Sequence, residues 1–371
     1  DSSVGTFSLT ERGDTETIER HSSFRLFAAM NPGTDAGKKE LASNLRGRFT
    51  EFYVAENLCR EDLEHIISSS FKNVSIGNAP TLLLVDFYIF AKEQSRENLY
   101  DCAGQKPHYS LRTLCRALEY IIKAVHIYGM NKSIKDAVSM AFFTQLDSKS
   151  RIILDQHLHS KMKDFADEYH ERPITGSDSF VMFESFLLSR GPLEIKTEED
   201  TEFSKYIVTK SVRQRLKDLS RAIYFHKSPI LLQGPTSAGK TSLIKYIASA
   251  TGYKCIRINN HANTDVQEYT GTYSTDKHGN IRFHEGPLVQ ALRMGHWVIL
   301  DELNLAPSDV LEALNRLLDD NRELYVPEIN ETIKPHKNFL LFATQNPAGA
   351  YGGRKTLSRA FRNRFIEIYV D

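Results

Sequence analysis

Cysteine is scarce in this sequence: Cys59, Cys102, Cys115 and Cys255 are scattered, and no CxxC pair occurs. This excludes a disulfide framework and a thiolate zinc site, and reads as reduced thiols of a cytosolic or nuclear protein. An excess of one charge sign is missing too. The 47 basic and 47 acidic residues cancel, which leaves no direct nucleic-acid signal and no sign of an acidic-membrane surface. No apolar run is long enough to cross a bilayer, because residues 81–91, the best stretch, are interrupted by Asp86. A signal-peptide pattern is also absent from the start. His157 and His159 lie two apart in a helical stretch, on different faces, which speaks against a metal pair. What is present is the composition of a soluble globular protein, with 41% hydrophobic and 25% charged residues over 371 positions. That length suggests two or three folding units. The chain begins at Asp1 instead of Met, and the expectation is a piece of a longer protein.

The sequence repeats itself at long range. Phe24-Arg-Leu-Phe-Ala-Ala-Met-Asn-Pro32 returns as Phe339-Leu-Leu-Phe-Ala-Thr-Gln-Asn-Pro347, and Leu45-Arg-Gly-Arg-Phe49 returns as Phe361-Arg-Asn-Arg-Phe365. Glu51 and Tyr53-Val54 match Glu367 and Tyr369-Val370. A period this long is no solenoid; it is a tandem of two whole modules, seen from the end of one to the same point in the next. Residues 1–58 are then the tail of the first module, with a buried strand expected at 24–30 and a short one at 52–54.

Residues 59–190 read as a helical subdomain of about five helices. They begin near Arg60, at 82–92, after Ser110 as N-cap, at 134–146 and at 152–165, and Leu111, Leu114, Leu118, Ile121 and Val125 fall at helical spacing. One further packed element lies at 180–188. Residues 191–204, with Gly191, Pro192 and the acids 198–200, read as a linker. From 205 to 371 strands alternate with helices. Strands are expected at 230–233, 254–258, 297–300, 339–343 and 366–370, and helices at 240–250 and 307–319. This alternation implies a parallel sheet covered on both faces.

Gly234-Pro-Thr-Ser-Ala-Gly-Lys-Thr241 fits G-x-x-x-x-G-K-[ST] at every position, with an apolar strand before it and an amphipathic helix after it. Its glycines let backbone N–H groups converge on phosphates, and the helix N-terminus adds partial positive charge. Gly234, Pro235, Thr236, Ser237, Ala238, Gly239, Lys240, Thr241 and Ser242 are the candidate nucleotide-binding residues, with Lys240 for the phosphates and Thr241 for Mg²⁺. The apolar run Trp297-Val-Ile-Leu ends in Asp301-Glu302. Asp301 is the second candidate Mg²⁺ ligand, and Glu302 the group that polarises the attacking water. Asn346, just past a strand expected between the other two, could touch the γ-phosphate or the water; alternatively it is a turn residue before Pro347. Arg362 and Arg364 precede the last strand. They read as an arginine finger delivered to a neighbouring site, or as a surface ion pair. Arg46 and Arg48 repeat the pattern.

The order of P-loop, Asp-Glu, Asn and terminal arginine resembles the AAA+ ATPases. Inserted hairpins at 269–286 and 323–337 resemble the clade that holds MoxR-type ATPases and dynein. Asp301-Glu-Leu-Asn-Leu-Ala-Pro307, the run from Leu311 to Leu324, Tyr351-Gly-Gly-Arg-Lys355 and Leu357-Ser-Arg-Ala-Phe-Arg-Asn-Arg-Phe365 resemble the midasin family. That resemblance implies an α/β P-loop NTPase large subdomain, with helices on both faces of its sheet and two inserted β-hairpins. It implies an all-helical lid, here from the preceding module, and a place at the second and third of six modules in one pseudo-hexameric ring. It further implies ATP with Mg²⁺, and neighbouring modules as partners. The implied task is ATP-driven release of assembly factors from pre-60S ribosomal particles in the nucleolus and nucleoplasm. Asn31 and Asn346 resemble sensor 1, and Arg112 resembles the lid's sensor 2 arginine, with a solvated helix arginine as its alternative. Arg364 resembles the finger best, then Arg362; Arg48 and Arg46 hold that place in the first module. The isolated chain is expected to hydrolyse poorly. A structural nucleotide-binding module is the rival reading. The absence of an N-K-x-D motif after the P-loop argues for adenine over guanine.

Overall fold

The computed structural model describes residues 6–8, 17–30, 41–54, 58–72, 74, 78–162, 179–195, 206–275, 279–347 and 355–370. It separates the chain into two units, Asp1–Val54 and Ala55–Asp371.

In the first unit, Thr6–Phe7 pairs antiparallel with Ile18–Glu19, and Ser43–Arg46 forms one helical turn. The strands expected at 24–30 and 52–54 do not form, and Phe27 is 90% exposed. The physical reason is the lack of neighbours. A buried parallel strand is stabilised by strands on either side, and the P-loop strand and Asp-Glu strand present in the chain pair within the second unit. Asn31 lies outside the described residues.

The second unit begins with five helices: α1 (Arg60–Ser70), α2 (Asn78–Glu97), α3 (Leu111–Tyr128), α4 (Met130–Val138) and α5 (Ser148–Met162). A capping box starts α1, in which the Asp62 N–H donates to Cys59 Sγ and the Cys59 N–H donates to Asp62. Ser110 sits at the N-cap of α3, but its hydroxyl makes no cap bond. Helix α3 buries Leu114, Ala117, Leu118, Ile121 and Ala124 along one stripe, and each large apolar side chain contributes about 1.5–3 kcal/mol. After α4 the helix widens into a π turn, Ser139–Phe143, and the buried Tyr109 hydroxyl donates to Phe142 O at 2.9 Å. His157 stacks on Phe90 with ring centroids 3.8 Å apart, a packing role.

The region expected to be all-helical to 190 ends in a hairpin, β1 (Phe180–Phe183) with β2 (Phe186–Ser189). Buried Phe186 and Leu188 alternate with less buried neighbours, a strand pattern. The described residues of the linker, 191–195, are pinned: Gly191 N–H donates to Thr251 O and Leu193 N–H to Gly252 O.

Next come α6 (Lys210–Phe225), β3 (Ile230–Gln233), α7 (Lys240–Thr251), β4 (Cys255–Asn259), the hairpin β5–β6 (Gly271–Thr275, Ile281–Glu285) and α8 (Pro287–Met294). They are followed by β7 (Trp297–Asp301), α9 (Ser308–Leu318), the hairpin β8–β9 (Leu324–Val326, Glu331–Ile333), β10 (Leu340–Gln345) and β11 (Ile366–Tyr369). The central sheet has order β11-β3-β10-β7-β4 and is parallel throughout. Ile230, Leu232, Phe342 and Ile368 join the helices of residues 60–162 in one core, while Leu231, Val298, Leu300 and Leu341 form a second core on the other face.

The five helices and the sheet are therefore one body. Thr144, just past the π turn, accepts from Tyr369 N–H at 3.0 Å and donates its hydroxyl to Glu367 O at 2.5 Å, covering the β11 edge. Buried Arg221 of α6 bonds Asp136 of α4 at 2.9 Å and Asp218 at 2.8 Å.

Candidate nucleotide-binding site

The site lies where β3, β7 and β10 end together. After β3, the chain must turn tightly enough to start α7. A Cβ on Gly234 would sit 1.9 Å from Val370 O, so only glycine fits there. Ser237 (φ 65°) and Gly239 (φ 81°) take left-handed conformations. Pro235, Thr236, Ser237 and Ser242 are exposed, Ala238 is partly buried, and Lys240 is buried at the first position of α7.

Lys240 Nζ donates to Gly234 O (3.0 Å), Pro235 O (2.7 Å) and Asn346 Oδ1 (2.7 Å). The same Asn346 amide donates through Nδ2 to Glu302 Oε1. Buried Asn346 thus bridges the P-loop cation and the acid, with its amide orientation set by the charge on each side. Glu302 itself has φ 54°, and its N–H donates to Thr344 Oγ1 at 3.1 Å. Asp301 ends β7 with Oδ1 accepting from Thr241 Oγ1 at 3.2 Å and from Thr344 Oγ1. Its Oδ2 accepts from Arg257 Nε at 2.8 Å. A threonine hydroxyl beside a carboxylate oxygen is the hard donor pair that Mg²⁺ favours, completed by phosphate and water oxygens. The residues fit that ion and a polyphosphate.

The structure brings together Lys240, Thr241, Asp301, Glu302 and Asn346. Sequence reasoning missed Arg257, Thr344 and Asn260, whose backbone and side-chain N–H groups both donate to Asp301 O (3.0 and 2.8 Å), and Asn304, whose Nδ2 donates to Asn346 O at 3.0 Å. Arg257 and Thr344 are aimed by the strands that flank β7, Asn260 directly follows β4, and Asn304 stands three residues past Asp301.

Arg362 is held by Glu367 (3.0 and 2.5 Å) and lies 3.8 Å from Asp101. Its guanidinium forms an ion pair within the chain, the alternative given for it from the sequence. Arg46 bonds Glu51 in the same forked way (2.8 and 2.6 Å). Arg364 donates to Ala360 O at 2.7 Å, and its buried Nε has no partner among the described residues. Arg48 is exposed. Arg112 is half exposed at the start of α3, 4.0 Å from Asp320.

Two family models match this chain: "Midasin AAA lid domain" over residues 62–164 and "AAA domain (dynein-related subfamily)" over residues 229–365. Midasin of Dictyostelium discoideum is 45% identical over 99% of the chain, and midasin of Giardia intestinalis 40% identical over 96%. The chain belongs to the midasin family. It spans 6% of the length of the Dictyostelium midasin and 8% of the Giardia midasin. An uncharacterized protein of Staphylococcus haemolyticus is 34% identical over 41% of the chain and 59% of its own length. Within the midasin family, the five helices correspond to a lid and the parallel sheet to a AAA domain, so this segment is a AAA+ ATPase module preceded by a lid.

Proposed function

We propose that this chain binds ATP with Mg²⁺ at Gly234–Ser242 and hydrolyses it within a ring of AAA+ modules. The observation that carries the proposal is the Lys240–Asn346–Glu302 bridge beside the Thr241–Asp301 pair. Lys240, at the helix start, pairs with phosphate oxygens. Thr241 and Asp301 hold the cation, which when bound neutralises phosphate charge. Glu302, oriented by Asn346 and by the main-chain bond to Thr344, polarises the attacking water. In this reading Arg364 is delivered to the preceding module's site, where a guanidinium stabilises transition-state charge, and Arg112 reports on that nucleotide from the lid. In the module before, Arg48 takes the role of Arg364, and Asn31 that of Asn346. The wider task, supported by likeness to the midasins, is remodelling pre-60S particles in the nucleus by releasing assembly factors.

In the full-length protein, Lys240→Ala should abolish ATP occupancy at this site, and Glu302→Gln should keep ATP bound but unhydrolysed. A water-orienting base typically contributes about 10²–10⁴-fold. Radiolabelled nucleotide retained after single turnover measures both. Retention of ADP by Glu302→Gln at the wild-type rate would sink the hydrolytic reading. One observation favours a site that binds nucleotide with little hydrolysis: Arg257 engages the Oδ2 of Asp301. On that second reading Glu302→Gln leaves ring turnover unchanged, while Arg257→Ala raises it.

A further inference from the structure

Helix α3 carries Arg112 at its start and Arg116 one turn later. Arg116 donates from Nη1 to Phe365 O at 2.9 Å and from Nη2 to Asn363 O at 2.7 Å. These two carbonyls flank Arg364 in the chain. A planar guanidinium reaches both at once, and an ammonium cannot reproduce that fork. Burial, with the charge of Arg112 nearby, brings the Arg116 guanidinium down to about 10. Holding it charged at neutral pH therefore costs folding free energy, and its hydrogen-bond partners are neutral carbonyls. The nearby carboxylate of Glu367 is forked to Arg362 instead. Arg362 is thereby fixed to its own strand, and Arg364 keeps an Nε with no partner among the described residues.

We propose that Arg116 is a positioning residue for Arg364: the lid of one module sets, through the Asn363 and Phe365 carbonyls, where the next module presents its trans-acting arginine. The proposal rests on the reading of Arg364 as that arginine. With Arg112 read as the lid's nucleotide sensor, lid orientation and finger placement become one movement, because α3 carries both Arg112 and the clamp on Arg364.

The test uses the full-length protein with Arg116→Ala, Arg364→Ala and the double variant, reading kcat and KM for ATP together with the melting temperature. An arginine finger contributes about 10³–10⁵-fold at its own site. Arg364→Ala should therefore remove the share of turnover carried by the preceding site. Arg116→Ala should remove the same share with KM unchanged, and the double variant should lose no more than either single. Arg116→Lys, which keeps the charge but not the fork, should resemble Arg116→Ala, and it carries the comparison if the alanine variant fails to fold. Full turnover in Arg116→Ala alongside a loss in Arg364→Ala overturns the proposal and leaves the finger reading intact. Additive losses in the double variant overturn it as well, since Arg116 then acts independently. Full turnover in Arg364→Ala removes the finger reading and the proposal together.

Discussion

Residues 24–30 and 339–345 carry similar words, yet they fold differently. Leu340–Gln345 is a fully buried central strand, while the matching stretch around Phe27 is exposed coil. The short-range features nevertheless agree. Ser43–Arg46 and Arg359–Arg362 are both single helical turns, and both lead into a forked bond from the last helical arginine to the glutamate five residues on. A turn and a nearby ion pair need only their own residues. A buried parallel strand needs neighbours on both sides, and its apolar side chains do not specify it alone.

The sharpest way to break this comparison is to truncate the matched phenylalanines. Phe342→Ala should cost about 3–5 kcal/mol, as core aromatic deletions do. Phe27→Ala should stay within about 0.5 kcal/mol. Denaturant titration of the chain reads both, and equal losses would show that the first copy is packed after all. The second test is smaller. Arg362 and Glu367 are 14% and 12% exposed, against 50% for each of Arg46 and Glu51. Glu367→Gln should cost about 1.5–3 kcal/mol, the range for a hydrogen bond to a charged group. Glu51→Gln should leave the unfolding midpoint unmoved. The smallest effect is a titration. The Arg46 hydrogen bond holds the Glu51 carboxyl below its ordinary 4.5. A depressed acid stabilises above its unfolded pKa and loses that contribution as pH falls through the folded value. Carbon-detected NMR should show a midpoint below 4.5 that returns toward it in about 1 M salt, where screening acts within about 3 Å. An unshifted midpoint in low salt would remove the short-range pair from the comparison.

These contrasts explain what could be read from the sequence. Ile230–Gln233 was legible to the residue, because an apolar run meets a P-loop whose spacing is a complete chemical statement. The two inserted hairpins, expected from the family resemblance, form within 269–286 and 323–337. Arg257, Thr344 and Asn260 were not legible, since each meets Asp301 only through strand register across positions far apart in sequence. The resemblance placed Arg364 ahead of Arg362, but the partner of Arg362 was hidden: Glu367 lies against it at the edge of the sheet. The hairpin at 180–189 was hidden by a stretch too short to show its period.

The missing side chain at Gly234 has a mechanical consequence. Where it would stand, the carbonyl of Val370 presses directly on the loop, and the Val370 N–H returns a bond to Gln233 O at 2.8 Å. Main chain rests on main chain, with no rotamer between to yield. Three residues earlier, at Glu367, β11 is fastened through Thr144 to the helices of residues 60–162. A load applied to those helices thus arrives at the mouth of the phosphate loop through a stiff coupling.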